Sequence, residues 1–115
     1  MRKKTTNRVF QIAYDESLLF TRSEMLRHAG YDVTSVLGNS AAKTALTSGQ
    51  EYSLFIVGRD APVETREEMI RWLKENFPTV QVLALNAPHE ILPVADYNVV
   101  NEPGEWLVAV RTIAF

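Results

Sequence analysis

The strongest constraint on the fold is the regular alternation of two kinds of segment along the chain. Short apolar runs typical of strands occur at residues 9–13, 32–37, 54–57, 80–85 and 97–100. Most of the intervening segments carry apolar residues at helical spacing. Strands that follow one another through helices form a parallel sheet, whose right-handed crossovers cover both of its faces. The pattern therefore predicts an α/β fold with three layers, α/β/α, around a five-stranded parallel sheet.

The helical segments differ in how clearly the sequence marks them. The clearest covers residues 63–77, where apolar side chains recur every three or four positions and three glutamates lie near the positive end of the helix dipole. A first helix follows the first strand, and Asn39 or Ser40 caps a short second one. A closing helix is predicted over residues 105–115.

The segment between the last two strands is the exception to this pattern. Residues 87–96 contain prolines at positions 88 and 93. Proline inside a helix costs about 3 kcal/mol, so at most one helical turn is predicted there. We expect the helix that would precede the fifth strand to be shortened.

Length and charge limit the classes of function. The 115 residues, of which 46% are hydrophobic, suffice for one core and are too few for two ordinary domains. Twelve basic and fourteen acidic residues give a formal net charge of -2, which does not favour nucleic acid. The one basic cluster is at the start of the chain and consists of Arg2, Lys3, Lys4 and Arg8. We expect a solvated tail over residues 1–7, followed by one domain over residues 8–115.

Several kinds of chemistry lack their residues. The chain has no cysteine, which excludes disulfides and thiol catalysis, and its two histidines have no partners at metal-ligand spacing. No glycine-rich phosphate loop follows the first strand. No stretch reaches the roughly 20 apolar residues of a membrane span, and no secretory signal begins the chain. We expect a cytoplasmic protein without metal or cofactor.

Polar landmarks follow several strands, where sites form in open α/β sheets. The turn "YDESLL" follows the first strand, and the third strand runs into the loop of "YSLFIVGRDAP" at Gly58. Asn86 follows the fourth strand and "NEP" follows the fifth. In these landmarks and in the order of its elements, the chain resembles a response regulator receiver domain. This CheY-like, flavodoxin-like module of two-component signalling and phosphorelay has strand order 2-1-3-4-5.

The resemblance implies a site that has lost most of its functional residues. In the family, two acids follow the first strand and an aspartate after the third accepts a phosphoryl group, while a hydroxyl and a lysine–proline pair follow the fourth and fifth strands. These positions fall on Tyr14, Asp15, Gly58, Asn86, Glu102 and Pro103. Only Asp15 keeps the acid that the family uses. The resemblance therefore implies a degenerate pseudo-receiver that lacks the phosphoacceptor aspartate and has no enzymatic activity.

The substitutions lead to expectations about the vacated pocket. Tyr14 is predicted to fill it and to place its hydroxyl near Asn86 or Glu102. Asp15 and Glu102 are predicted to repel phosphate. Gly58 either allows positive φ or leaves room for a neighbouring side chain such as Tyr14. Two alternatives stay open: Asp60 accepts a phosphoryl group with magnesium, or a small molecule binds at the vacated strand ends.

The remaining candidate for function is the surface of the closing helix. This helix is apolar nearly all round, more than one covered face requires. The predicted interaction face consists of Trp106, Val108, Ile113 and Phe115. We expect it to bind a protein partner or a second copy of the chain, and neither nucleic acid nor membrane. Alternatively, Trp106 packs over the strand edge left bare by the shortened helix.

Overall fold

The computed structural model describes residues 7–114. Its strands are β1 (Arg8–Ala13), β2 (Asp32–Leu37), β3 (Leu54–Val57), β4 (Gln81–Asn86) and β5 (Tyr97–Val100). Its helices are α1 (Glu16–His28), α2 (Asn39–Ala45), α3 (Val63–Asn76) and α4 (Pro103–Ala114), and a 3-10 turn at Leu46–Ser48 follows α2. None of the described helices is long and apolar enough to cross a membrane.

The strands form one parallel sheet in the order β2-β1-β3-β4-β5. Helices α1 and α4 pack on one face, and α2 and α3 pack on the other. Every residue of β3 is buried, because this central strand is covered on both sides. The predicted three-layer α/β/α fold and strand order are confirmed.

Each face of the sheet has its own apolar cluster. On the α3 side, Met69, Ile70 and Leu73 are fully buried against the strands. Their spacing of three and four residues forms the single stripe that a covering helix needs. The tail predicted for residues 1–7 lies outside the described residues except for Asn7, whose side chain donates a hydrogen bond to the carbonyl of Gly30.

A hydrogen-bonded loop replaces the helix between β4 and β5. Residues 87–96, where one helical turn was allowed, form turns and no helix. The Asn98 side chain anchors this β4–β5 loop: its Oδ1 accepts from the backbone N of Leu92 at 2.9 Å, and its Nδ2 donates to the carbonyl of Leu92 at 3.1 Å. The Leu92 side chain is buried in the core, so the loop covers part of the sheet face.

The prediction that Trp106 lies on an exposed interaction face is wrong. The side chain is 1% exposed and packs in the core cluster with Val110, one turn further along α4. Helix α4 begins at Pro103, two residues earlier than expected, and Trp106 lies on the face that covers the sheet. Val108 is exposed and Ile113 is half-buried, while Phe115 lies outside the described residues.

Candidate functional site

The carboxyl ends of the parallel strands meet at one edge of the sheet. Gly58, just after β3, is buried and its backbone N donates to the carbonyl of Ile12 on β1 at 2.9 Å. Asn86, the last residue of β4, is also buried. The fold therefore brings both positions to the edge where the sequence predicted a site.

The side chain that joins these two positions is Arg66, on the first turns of α3. It is fully buried, and its Nε donates to the carbonyl of Gly58 at 2.8 Å. Its Nη2 donates to Asn86 Oδ1 at 2.7 Å and to the carbonyl of Leu85 at 2.9 Å. Its Nη1 pairs with Glu90 Oε1 at 3.0 Å. A guanidinium group with four hydrogen bonds thus lies at the strand ends.

A second buried arginine approaches Gly58 from the other face of the sheet. Arg22 on α1 is 2% exposed, and its Nη2 donates to Asn101 Oδ1 at 3.1 Å. A Cβ atom placed on Gly58 would lie 2.8 Å from Arg22 Nη1. Gly58 is not among the described glycines with positive φ. Of the two predicted roles of Gly58, leaving room for a neighbouring side chain fits the structure, but that neighbour is Arg22 and not Tyr14.

The electrostatic environment of Arg22 reflects its burial. Desolvation lowers the pKa of Arg22, and the charges of Asp60 and Asp15 act in the opposite direction. Its Nε has no hydrogen-bond partner within the described part of the chain. Because arginine starts from so high a pKa, this guanidinium keeps its proton at neutral pH.

The sequence contains a signal for both arginines in their spacing from buried apolar residues. Arg66 is the first member of a core-facing stripe on α3 with Met69, Ile70 and Leu73. Arg22 lies one turn before the buried Leu26 on α1. Arginines at core-facing positions of a helix must find buried acceptors, and the strand ends provide them.

The prediction for the Tyr14 hydroxyl is wrong. It donates to Asn39 Oδ1 at 2.7 Å, at the start of α2, and the ring packs against the core cluster on the α2–α3 side. Burial raises the pKa of Tyr14 well above its ordinary value. Asn39 in turn donates to Glu68, whose pKa is lowered first by a hydrogen bond from Lys43. Tyr14 therefore joins α2 to the site edge without filling the site.

The two predicted acidic residues do not converge on the strand ends. Asp15 is exposed and caps α1, where its Oδ2 accepts from the backbone N of Leu18 at 2.9 Å. Glu102 is exposed, and the neighbouring Asn101 reaches Arg22 in its place. Pro103 is the first residue of α4, a position that suits proline. The expectation of a site made negative by Asp15 and Glu102 is wrong, because buried guanidinium groups lie there.

Hydrogen bonds connect the strand ends to the β4–β5 loop. Asn86 Nδ2 donates to Asn98 Oδ1 at 2.8 Å, and Asn98 holds Leu92. Arg66 reaches the same loop directly through Glu90, whose Oε1 also accepts from the backbone N of Ala87 at 3.3 Å. Arg66 and Asn86 therefore fix the loop from two points.

Solved structures provide an independent comparison. The response regulator TrrA of Thermotoga maritima, solved with Mg²⁺ and BeF, aligns with a TM-score of 0.80 at 18% identity over 92% of this chain and 97% of that chain. A chemotaxis response regulator of Vibrio cholerae aligns with a TM-score of 0.76 at 20% identity, covering 96% and 99% of the two chains. The chain has the receiver-domain fold. No family model and no curated protein matches the sequence.

A third solved structure contains a response regulator bound to a protein partner. TrrA in complex with the histidine kinase ThkA aligns with a TM-score of 0.79 at 18% identity, over 94% of this chain and 98% of that chain. These structural neighbours are response regulator receiver domains of two-component signalling, which are signalling modules. At these identities the likeness establishes the CheY-like fold of this chain and leaves its activity to be argued from its own residues.

The close contact between Gly58 and Arg22 leads to a direct prediction. Gly58→Ala is expected to lower the free energy of unfolding by about 1–3 kcal/mol, as overpacking of a filled core does. The new methyl group would lie 2.8 Å from Arg22 Nη1 and 3.3 Å from the carbonyl oxygen of Ile12. Urea denaturation measures the change. Gly104→Ala, which meets open space in the first turn of α4, is the control and is expected to be neutral or slightly stabilising. Equal stability of both variants would show that Arg22 does not hold this position.

Proposed function

We propose that this chain is a degenerate receiver-like signalling domain, a pseudo-receiver, that binds a protein partner independently of phosphorylation. One observation carries the proposal: the buried guanidinium groups of Arg66 and Arg22 lie at the strand ends, around the glycine that stands at the expected acceptor position. The hydrogen bonds of Arg66 and Arg22 hold the strand ends in place, so the role of these two residues is structural.

The chemistry of phosphoryl transfer supports this proposal. Transfer to a carboxylate requires a nucleophilic oxygen, a divalent cation and a positive group that holds the product. Gly58 has no carboxylate, and the exposed Asp15 uses one oxygen to cap α1. Mg²⁺ needs several oxygen ligands, and two nearby cations oppose its binding. The donor set at this edge therefore does not fit Mg²⁺.

The network around Arg66 also supports a constitutive conformation. A phosphorylation switch requires an element with two arrangements whose balance a new charge can change. Here Arg66 holds the carbonyl of Gly58, the Asn86 side chain and Glu90 at once. We infer that the β4–β5 loop stays in one arrangement, so the partner surface is always displayed.

The first alternative is phosphorylation of Asp60. This carboxylate is one-third exposed, lies 3.7 Å from Arg59 Nε and is close enough to Arg22 to affect its pKa. Within residues 7–114, no three acidic or histidine side chains are grouped to hold a metal ion. The test is Asp60→Asn: loss of a phosphoryl gain in this variant would favour the alternative over our proposal.

The second alternative is a small molecule bound at the vacated strand ends. The side chains of Arg22 and Arg66 occupy space that this alternative needs. A ligand would have to displace a buried guanidinium group from its hydrogen bonds, which is costly. The observations therefore favour a plugged site at Gly58, and a cavity of about 240 Å³ lies beside it at the ends of β4 and β5.

The proposed interaction face lies on α4. Val108 is 58% exposed, whereas Ile113 is half-buried and packs against the core cluster of Trp106, so Val108 is the described residue that this face offers. An exposed valine on a helix whose other face already covers the sheet is available to a partner. The complex of TrrA with the kinase ThkA supports a protein as the partner class. We propose a protein partner or a second copy of the chain here.

Light scattering over a range of protein concentrations tests this proposal. Wild-type protein is expected to associate to the same extent with and without acetyl phosphate and magnesium, and Val108→Glu is expected to weaken association at least about tenfold by burying an unpaired charge. The matched control is Val63→Glu, which changes an exposed valine on a different helix, α3. Association that requires acetyl phosphate, or that Val63→Glu weakens equally, would contradict the proposal.

A further inference from the structure

A separate cavity lies at the opposite edge of the sheet, near the amino ends of β3 and β4. Its volume is about 450 Å³, within the range of pockets that hold small molecules. Residues 49–52 form one wall, residues 76–80 form the other, and Phe55 contributes from β3. Neither Arg22 nor Arg66 lines it, so its properties do not depend on the proposed function.

Aromatic rings give this cavity a fixed shape. The rings of Phe55 and Phe77 meet edge to face with centroids 5.5 Å apart, and the Tyr52 ring lies 6.2 Å from Phe55. The Tyr52 hydroxyl donates to Gln50 Oε1 at 3.1 Å, which orients the ring. Because these side chains are held by packing and hydrogen bonds, the cavity is formed before any ligand binds.

The charge of the lining indicates which ligands it suits. Glu51 is the only charged side chain that lines the cavity, and within residues 7–114 it has no ion-pair partner. The nearby Lys74 is already bound to the carbonyl of Val80 and to Asp96. An exposed carboxylate beside aromatic faces attracts a cation and repels an anion.

We propose that this cavity binds a small organic cation with an aromatic body, an aralkylamine. The aromatic body packs against Tyr52 and Phe77, and the ammonium group lies near Glu51. This binding site is additional to the proposed partner surface on α4, and it is independent of it. No bond is made or broken.

Backbone NMR titration with three matched probes tests the proposal. The probes are 2-phenylethylamine, neutral 2-phenylethanol and anionic 3-phenylpropionate. We expect shifts confined to residues 49–52, 55 and 76–80, with the amine binding tightest. Glu51→Gln is expected to weaken amine binding about two- to fivefold, the effect of one exposed ion pair, and to leave the alcohol unchanged. Glu105→Gln, at an exposed acid on α4, is the matched control and is expected to change neither.

Four results would overturn the proposal. The first is an absence of saturable shifts with the amine, and the second is shifts that fall outside the cavity. The third is equal binding of the amine and 3-phenylpropionate, and the fourth is equal effects of Glu51→Gln and Glu105→Gln. Both Glu→Gln variants replace exposed side chains, so they are expected to fold like the wild type.

Discussion

Arg66→Ala is expected to lower the free energy of unfolding by about 3–5 kcal/mol, because three acceptors at the strand ends lose their donor at about 1–3 kcal/mol each. The substitution leaves the carbonyls of Gly58 and Leu85 and the amide oxygen of Asn86 without their donor. A buried acceptor that has no donor has given up its hydrogen bonds to water without a replacement, which destabilises the fold. Urea denaturation followed by circular dichroism measures the loss.

Two variants make this experiment specific. Arg71→Ala removes an exposed arginine on the same helix, paired at 3.8 Å with Glu67, and is expected to cost about 0.5 kcal/mol or less. Arg66→Lys keeps the charge but cannot reproduce the planar set of donors, so it is expected to fall between wild type and Arg66→Ala. If Arg66→Ala costs no more than Arg71→Ala, the guanidinium group does not hold the strand ends together.

Trp106→Ala is expected to lower the free energy of unfolding by about 3–5 kcal/mol, the usual effect of truncating a large buried aromatic side chain. Trp106 is almost fully buried where α4 covers the sheet. Val108→Ala, two residues further along the same helix at an exposed position, is expected to change stability by about 0.5 kcal/mol or less. Thermal and urea denaturation of both variants measure the contrast. If both variants lose similarly little stability, Trp106 is not buried in the core.

Much of the fold follows from patterns in the sequence. The strand at Leu54–Val57 is a continuous apolar run because both faces of a central parallel strand are covered. The stripe on α3 has helical spacing because a covering helix buries one side. The two prolines in residues 87–96 remove the helix that would otherwise precede β5. These features are local, and sequence reports local features well.

The candidate site depends on features that are not local. Arg22 and Arg66 are far apart in the sequence, and both reach Gly58 only after α1 and α3 pack on opposite faces of the sheet. A charged residue on a helix usually marks a solvated face, so neither arginine stood out. Their core-facing positions on the helical stripes were the available signal.

Two errors have specific physical causes. Helix α4 is apolar nearly all round, so its periodicity does not indicate which face covers the sheet, and Trp106 was assigned to the wrong one. The resemblance places the family's lysine position at Glu102, next to a proline. The side chain that reaches Arg22 is its neighbour Asn101, because the backbone turns there and the N of Glu102 donates to the carbonyl of Val100 at 2.7 Å.

The strand ends of this chain combine buried positive charge with the four hydrogen bonds of Arg66. In the proposed pseudo-receiver, Arg66 links the end of β3 to the end of β4 and to Glu90 in the β4–β5 loop. If a charge were added at this edge, we expect that no element there would be free to change its conformation. We therefore expect signalling by this domain to depend on the presence and concentration of its partner.

The most direct test of phosphorylation independence is the intact mass of the protein after incubation with acetyl phosphate and magnesium, with an active response regulator treated in parallel as a positive control. We predict that the control gains a phosphoryl group and that the mass of this chain is unchanged. A gain of one phosphoryl group that Asp60→Asn abolishes would contradict the proposal and establish Asp60 as a working acceptor.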